Sequence, residues 1–427
     1  MDSTASVNLE AESKKRAQKV LAGCIIIVGI ELGTLCVLSN YIGALCEQTG
    51  AELTQVALMF SVFNLTSAFV GLVVSALVDR VPMKTIMLVG AVCYIVFFAF
   101  LYAGSSLVML YVGALFFGAS NVCTGFAVAQ PLITWWHARN VGKKISILSV
   151  AMSLFAMALS PIIANLLTVV GFKTTVLLNG GVLGAVMLLC VVFLISNKPS
   201  TYGLAPYESE RLPEGAGQAY EPSGLTFKQA ARTFSFWAIL IAPALLMVPA
   251  NGFVSNEAIV FQSYGFDAAT SGSMISLYNG FCIVWVFLYG TISDRIGPVK
   301  TNIIYTSASI AVLVLGTIIG GFAGGVAMAV LFGIVAAYGG VLGAVTLGHL
   351  FGTRAIATLI ALCNVVMGIG SMIGPLVASF IIQVSGNISL FMMLSAVICA
   401  VVLVLFVTAT SKRAIARIKA VEAQGQE

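Results

Sequence analysis

Two stretches decide the fold: "GAELTQVALMFSVFNLTSAFVGLVVSALVDR", Gly50–Arg80, and "GFDAATSGSMISLYNGFCIVWVFLYGTISDR", Gly265–Arg295. They align without gaps at an offset of 215 positions. Gly50/Gly265, Ser61/Ser276, Asn64/Asn279, Asp79/Asp294 and Arg80/Arg295 coincide, and Glu52 matches Asp267 in kind. Each stretch is an apolar run of helical length that ends in an acid–arginine pair. The chain therefore reads as two parallel halves, the arrangement in which two helix bundles rock about a site near the midplane.

The rest of the chain has the same solvent. It is 59% hydrophobic and 9% charged over 427 residues, against roughly 25% charged in soluble domains, and its mean hydropathy is +1.05. An integral membrane protein follows. The nine cysteines lie singly in apolar runs, which argues against both a disulfide framework and a metal cluster.

A span of about 20 apolar residues per helix divides the chain into twelve. Helices 1 to 6 are expected near 20–45, 53–77, 84–104, 107–131, 144–169 and 173–196. Helices 7 to 12 are expected near 234–262, 269–292, 299–320, 325–350, 355–384 and 387–410. The implied organisation is a tail at 1–19, a six-helix bundle at 20–196, a linker at 197–233, a second bundle at 234–410 and a tail at 411–427. The linker holds four of the sixteen acids and reads as a mobile connector, with a short interfacial helix in "SGLTFKQAARTF". The fold class expected is an all-α membrane protein: twelve transmembrane helices in two bundles related by pseudo-two-fold symmetry.

With a cytoplasmic N-terminus, 20 of the 21 basic residues fall in the tails, the linker and the loops on that side, and only Lys173 lies outside. The positive-inside rule then places both termini in the cytoplasm of a cell (plasma or inner) membrane. The net charge of +5 is thus a topology signal and not a nucleic-acid one.

The repeat ends, "SALVDRVPMK" and "GTISDRIGPVK", resemble the loop motif of the major facilitator superfamily. The second copy supplies Gly290, Asp294, Arg295, Gly297 and Lys300; the first has Ser75 and Pro82 in place of two glycines. The resemblance implies a cytoplasmic gate formed by Asp79, Arg80, Asp294 and Arg295. "YGGVLGAVTLGHLFGTR" and "ITWWHARNVGKK" resemble the oxalate/formate antiporter and monocarboxylate transporter branch. That branch uses basic residues in helices 8 and 11, where this chain has Val286 and Cys363. Helices 1, 4, 7 and 10 are then implied to face the central path, with parts of 2, 5, 8 and 11.

Only two acids lie within spans, Glu31 in helix 1 and Glu257 in helix 7. Glu31 stands eleven residues into its helix, roughly 16 Å at 1.5 Å per residue, close to the midplane. An ionised acid there costs roughly 3 kcal/mol, so Glu31 is expected to be neutral, hydrogen-bonded or wet, and it is the expected proton-coupling residue. Glu257 shares a stripe with Phe253, Phe261 and Tyr264, a setting for a cationic or aromatic solute. The remaining expected substrate contacts are Asn64, Asn121, Thr124, Asn279, Tyr338 and Asn364. Ser146, Ser149, Ser153 and Ser160 on helix 5, and Gly370, Ser371 and Gly374 on helix 11, read as close-packing faces.

No G-x-x-x-x-G-K-[ST] loop occurs, so ATP is not the expected energy source, and no cofactor is expected. The spans lack the clustered His, Asp or Cys of an intramembrane enzyme, so no enzymatic activity is expected. The reading is a secondary active transporter working by alternating access and coupled to protons. Its default substrate class is a monocarboxylate or other small organic acid. A solute/solute antiporter, an exporter of neutral or cationic amphipathic compounds, and a transporter-like receptor are the alternatives. Its partners would be a small-molecule substrate, protons or a counter-substrate, and the bilayer. No nucleic acid is expected, and the chain should be monomeric.

Overall fold

Inside a bilayer no water satisfies backbone N–H and C=O groups, so an apolar chain must close its hydrogen bonds within each segment. The computed structural model of the protein obeys this. It describes residues 3–77, 80–104, 106–138, 141–207, 225–337, 346–347, 350–351 and 356–423. Among these, eleven helices are long and apolar enough to cross a membrane, and a shorter apolar one spans Gly321–Ala336. The shorter one is the expected tenth helix, whose continuation at 338–345 lies outside the described residues.

The chain folds into two units. One comprises Met1–Ala51 and Val62–Ala219; the other comprises Glu52–Ser61 and Tyr220–Glu427. In the first unit, helix 1 spans Ser3–Val37 and continues through a 3-10 turn, Leu38–Tyr41, into Ile42–Thr49. Helix 2 is Leu53–Leu77, its residues up to Ser61 counted with the second unit and those from Val62 with the first; helix 3 is Met83–Ala103 and helix 5 Val141–Val169. Helix 4 is broken into Leu107–Thr124 and Phe126–Trp136. Helix 6 runs Phe172–Leu178 and Gly184–Phe193 around a π-helical turn, Asn179–Leu183.

In the second unit, helix 7 is Phe234–Ser263, helix 8 Ala268–Ile296, helix 9 Pro298–Ile318, helix 11 Ile356–Ser385 and helix 12 Ile388–Ala409. A tail helix, Lys412–Ala423, follows. Asp267 caps helix 8 by accepting from the Thr270 N–H at 2.8 Å, and the Thr270 hydroxyl together with this N–H holds its carboxyl below the usual range. Near Ser385, Gln383 Nε2 donates to Glu52 Oε2 at 2.6 Å, and Ser61 Oγ donates to the Met372 carbonyl at 2.6 Å.

Both described flanks of the linker are docked on their own unit. Trp136 Nε1 donates to the Asn197 carbonyl at 2.9 Å, Ser13 Oγ to Ala205 O at 2.7 Å, and Tyr207 N to Trp136 O at 2.9 Å. The Arg16 guanidinium covers the Tyr202 ring at 4.2 Å, and Lys198 Nζ sits 4.1 Å from the Trp135 ring. Cation–π contacts and backbone pairing thus fix 197–207 to the first unit. On the other side Leu225 is buried and its N–H donates to Phe351 O at 3.0 Å. A short helix, Phe227–Ala230, forms there with a Thr226/Gln229 capping box, as "SGLTFKQAARTF" led one to expect.

Helices 7 and 11 cross closely at the small residues of helix 11. A Cβ on Gly370 would stand 2.0 Å from the Ala244 carbonyl oxygen, and one on Gly374 2.6 Å from that of Val248. Gly370→Val should therefore destabilise the second unit by about 3 kcal/mol or more. Gly71→Ala, where a Cβ meets nothing within 4 Å, should be tolerated. Monodispersity and thermal melting of the two purified variants check this.

Candidate functional site: one buried carboxyl in each unit

Glu31 is fully buried in helix 1. Ser120 of helix 4 donates its hydroxyl to Glu31 Oε2 at 2.7 Å, and Oε1 has no hydrogen-bond partner among the described residues. Ser120 stands one turn before the break in helix 4. Its own carbonyl accepts from the Thr124 hydroxyl at 2.8 Å, and the chain then leaves helical geometry at Gly125 (φ −85°, ψ −158°). Only glycine fits this corner, because a Cβ would stand 2.2 Å from the Asn121 carbonyl oxygen. The half-buried Asn121 has an Nδ2 without a partner among the described residues. A helix interrupted beside a buried acid is the arrangement that lines solute and ion sites in membranes.

One turn along helix 1 from Glu31, a second buried polar set begins. Thr34 Oγ1 and Tyr94 Oη lie 2.9 Å apart, and Tyr94 donates to Asn179 Oδ1 at 2.9 Å, so Thr34 is the donor to Tyr94. Asn179 Nδ2 donates to Tyr41 Oη at 2.9 Å. Asn179 opens the π-turn of helix 6, a distortion often found at functional sites. The four side chains connect helices 1, 3 and 6, and all four are buried. Tyr94→Phe leaves Asn179 Oδ1 without its donor, which costs about 1–3 kcal/mol. The melting midpoint should fall by roughly 5 °C, whereas Tyr102→Phe, at an exposed ring, should leave it unmoved.

In the second unit Glu257 is also fully buried, and neither carboxyl oxygen has a hydrogen-bond partner among the described residues. Phe253 and Phe261, one turn away on either side, are buried and meet edge to face at 6.0 Å. Phe253 stacks on Phe332 at 3.7 Å and meets Tyr278 at 5.4 Å. Tyr264, the fourth member of the expected stripe, spends its hydroxyl on the Gly316 carbonyl at 2.7 Å. The adjacent Asn256 accepts from Ser379 Oγ at 3.1 Å and donates to Gly252 O and Ser255 Oγ, each at 3.0 Å, leaving no N–H for Glu257.

The other expected residues divide. Thr124 lies at the break beside Glu31. Asn279 is buried and turned back onto the Ile275 carbonyl at 2.9 Å, and Asn64 is half-buried on helix 2. Arg80, Asp294 and Arg295 are exposed at helix ends, and no ion pair joins them among the described residues. Asp79, Tyr338 and the Asn364 side chain lie outside the described residues. Ser120, Tyr94, Asn179 and Tyr41 are the functional candidates that sequence reasoning missed. The one available signal was polar side chains in spans, and Ser120 passes there for a packing residue.

Comparison with known proteins agrees with this architecture. The crystal structure of the nucleoside transporter NupG (D323A mutant) superposes with a TM-score of 0.74 at 10% identity, covering 93% of this chain and all of that one. A bacterial homolog of the human lysosomal transporter Spinster, inward-facing and unoccupied, gives 0.66 at 15% identity over 96% of each chain. An uncharacterized MFS-type transporter of Bacillus subtilis (strain 168), YcxA, is 29% identical over 150 residues. That match spans 35% of this chain and 37% of the relative's length. The Major Facilitator Superfamily model matches residues 21–328 and 250–426. With nearly the whole chain so matched, the protein belongs to the Major Facilitator Superfamily.

Proposed function

We propose that the protein is a secondary transporter that moves a small organic solute across the membrane by alternating access, with Glu31 carrying the coupled proton. The observation that carries the reading is a fully buried carboxyl with one oxygen held by Ser120 and the other unpartnered among the described residues. A proton-carrying acid needs both states to be accessible. One fixed donor supports the charged form, and apolar surroundings support the neutral one.

Glu257 is the proposed solute contact. A buried carboxyl with two unsatisfied oxygens is expensive to keep, and a solute that offers N–H or ammonium donors between aromatic faces removes that penalty. Amine- or amide-bearing solutes, neutral or cationic, are therefore the favoured class, and the nucleoside transporter among the fold neighbours is compatible with it. A small organic acid is the second reading, favoured by the "ITWWHARNVGKK" motif; it would cross with a proton. Asn121, Thr124, Asn64, Asn279, Tyr338 and Asn364 stand as further solute contacts, and Asp79, Arg80, Asp294 and Arg295 as the gate.

A thermal-shift screen of amines, nucleosides, amino acids and organic acids identifies the solute, and uptake into proteoliposomes then tests transport. Gradient-driven accumulation supports the proposal. Binding without flux would make the protein a receptor on a transporter scaffold.

A further inference from the structure

At one end of the second unit a cleft of about 510 Å³ opens between the start of helix 7, the end of helix 12 and the tail helix. Arg232, Arg413 and Arg417 line it. All three are exposed, and the one ion pair among the described residues, Arg16–Glu12, lies elsewhere. Two helix N-termini reach the same space. Thr233 Oγ1 accepts from the Phe236 N–H at 3.3 Å, so the N–H groups of Phe234 and Ser235 have no intrahelical partner. Ser411 Oγ accepts from the Ala414 N–H at 3.3 Å at the start of the tail helix. Ser235 Oγ donates to Ala409 O at 2.8 Å and ties helix 7 to helix 12 beneath the cleft. Three guanidinium groups without carboxylate partners among the described residues and two positive helix ends make the cleft an anion site, with planar donors suited to phosphate.

The surroundings say which anion. From the lining residue Phe234 (58% exposed), an exposed apolar stripe runs down helix 7 through Trp237 and Ile241 at i+3 and i+7. From the lining residue Thr408, a matching stripe runs back along helix 12 through Val404, Val401 and Val397 at i−4, i−7 and i−11. Both stripes begin at the cleft and face away from protein. The distribution of Lys and Arg assigns this end to the cytoplasmic leaflet, which carries the anionic lipids. We propose that the cleft binds the phosphate headgroup of an anionic phospholipid, whose acyl chains lie along the two stripes.

The test uses full-length protein, delipidated in detergent and titrated with phosphatidylglycerol, phosphatidylcholine or inorganic phosphate. Native mass spectrometry counts the lipid retained. Phosphatidylglycerol should bind in preference to phosphatidylcholine, and inorganic phosphate at the same concentration should not displace it. Arg413→Gln/Arg417→Gln should weaken binding by about thirtyfold. Lys14→Gln/Lys15→Gln, at the other end of the sequence, should leave it intact. Arg413→Lys/Arg417→Lys preserves the charge and should retain most of the binding, which separates loss of the site from loss of the fold. Equal retention of the two lipids, displacement by inorganic phosphate, or undiminished binding to the glutamine variant overturns the proposal.

Discussion

Glu31→Gln should abolish proton-driven accumulation and leave exchange running. In proteoliposomes with the interior one pH unit more alkaline, each coupled proton supports about a tenfold accumulation of solute. The wild-type protein should approach that ratio. The variant should stop at equal concentrations, because an amide of the same shape can still meet Ser120 but cannot carry a proton. Counterflow of labelled against unlabelled solute needs no net proton movement and should persist. A variant that loses both activities would point to damage in packing, and Ser120→Ala gives the control: it removes the donor at 2.7 Å while keeping the carboxyl, so accumulation should weaken and not vanish.

Glu257→Gln should act on recognition. A hydrogen bond to a charged group contributes about 1.5–3 kcal/mol, so the apparent KM for an amine-bearing solute should rise roughly ten- to hundredfold. The pH gradient should still drive what is bound. Uptake kinetics at saturating solute check the distinction, since a positioning or folding defect would lower the maximal rate as well. If the solute is an organic acid, the same substitution removes a repulsive group and KM should fall. The sign of the change therefore discriminates the two substrate classes.

Much of the architecture is legible in the residues because the bilayer imposes simple rules. Apolar length counts the spans, Lys and Arg imply their orientation, and the match of Gly50–Arg80 to Gly265–Arg295 implies two halves. The glycines of helix 11 read as a packing face and meet the carbonyls of helix 7. Hydropathy is blind to what happens between helices. Ser120 lies 89 positions from Glu31, and Asn179 lies 85 from Tyr94; no local pattern announces either pair. Gly125 falls inside the apolar run expected as helix 4, and no residue pattern marks that its backbone leaves helical geometry beside Glu31's partner. The docking of the 197–207 flank is hidden for a related reason. Its polar composition reads as solvated chain, whereas Trp135, Trp136, Tyr202 and Arg16 hold it by aromatic faces and backbone pairing. Spacing alone sets Glu257 on a stripe with Phe253 and Phe261; its full burial is seen only in the packed structure.

Both buried acids have a free oxygen among the described residues, yet their surroundings differ. Glu31 has a fixed hydroxyl donor and a neighbouring polar set, and Glu257 has aromatic rings. With the proton on the first and the solute on the second, as proposed, the two should fail in different ways.

Direct proton flux is the most telling measurement. Solute is added to proteoliposomes that enclose a pH-sensitive dye, with no imposed gradient, and the internal pH is followed. The account predicts a solute-triggered pH change for the wild type and for Glu257→Gln at saturating solute, and none for Glu31→Gln while its counterflow continues. A Glu31→Gln protein that moves protons with its solute as the wild type does would contradict it.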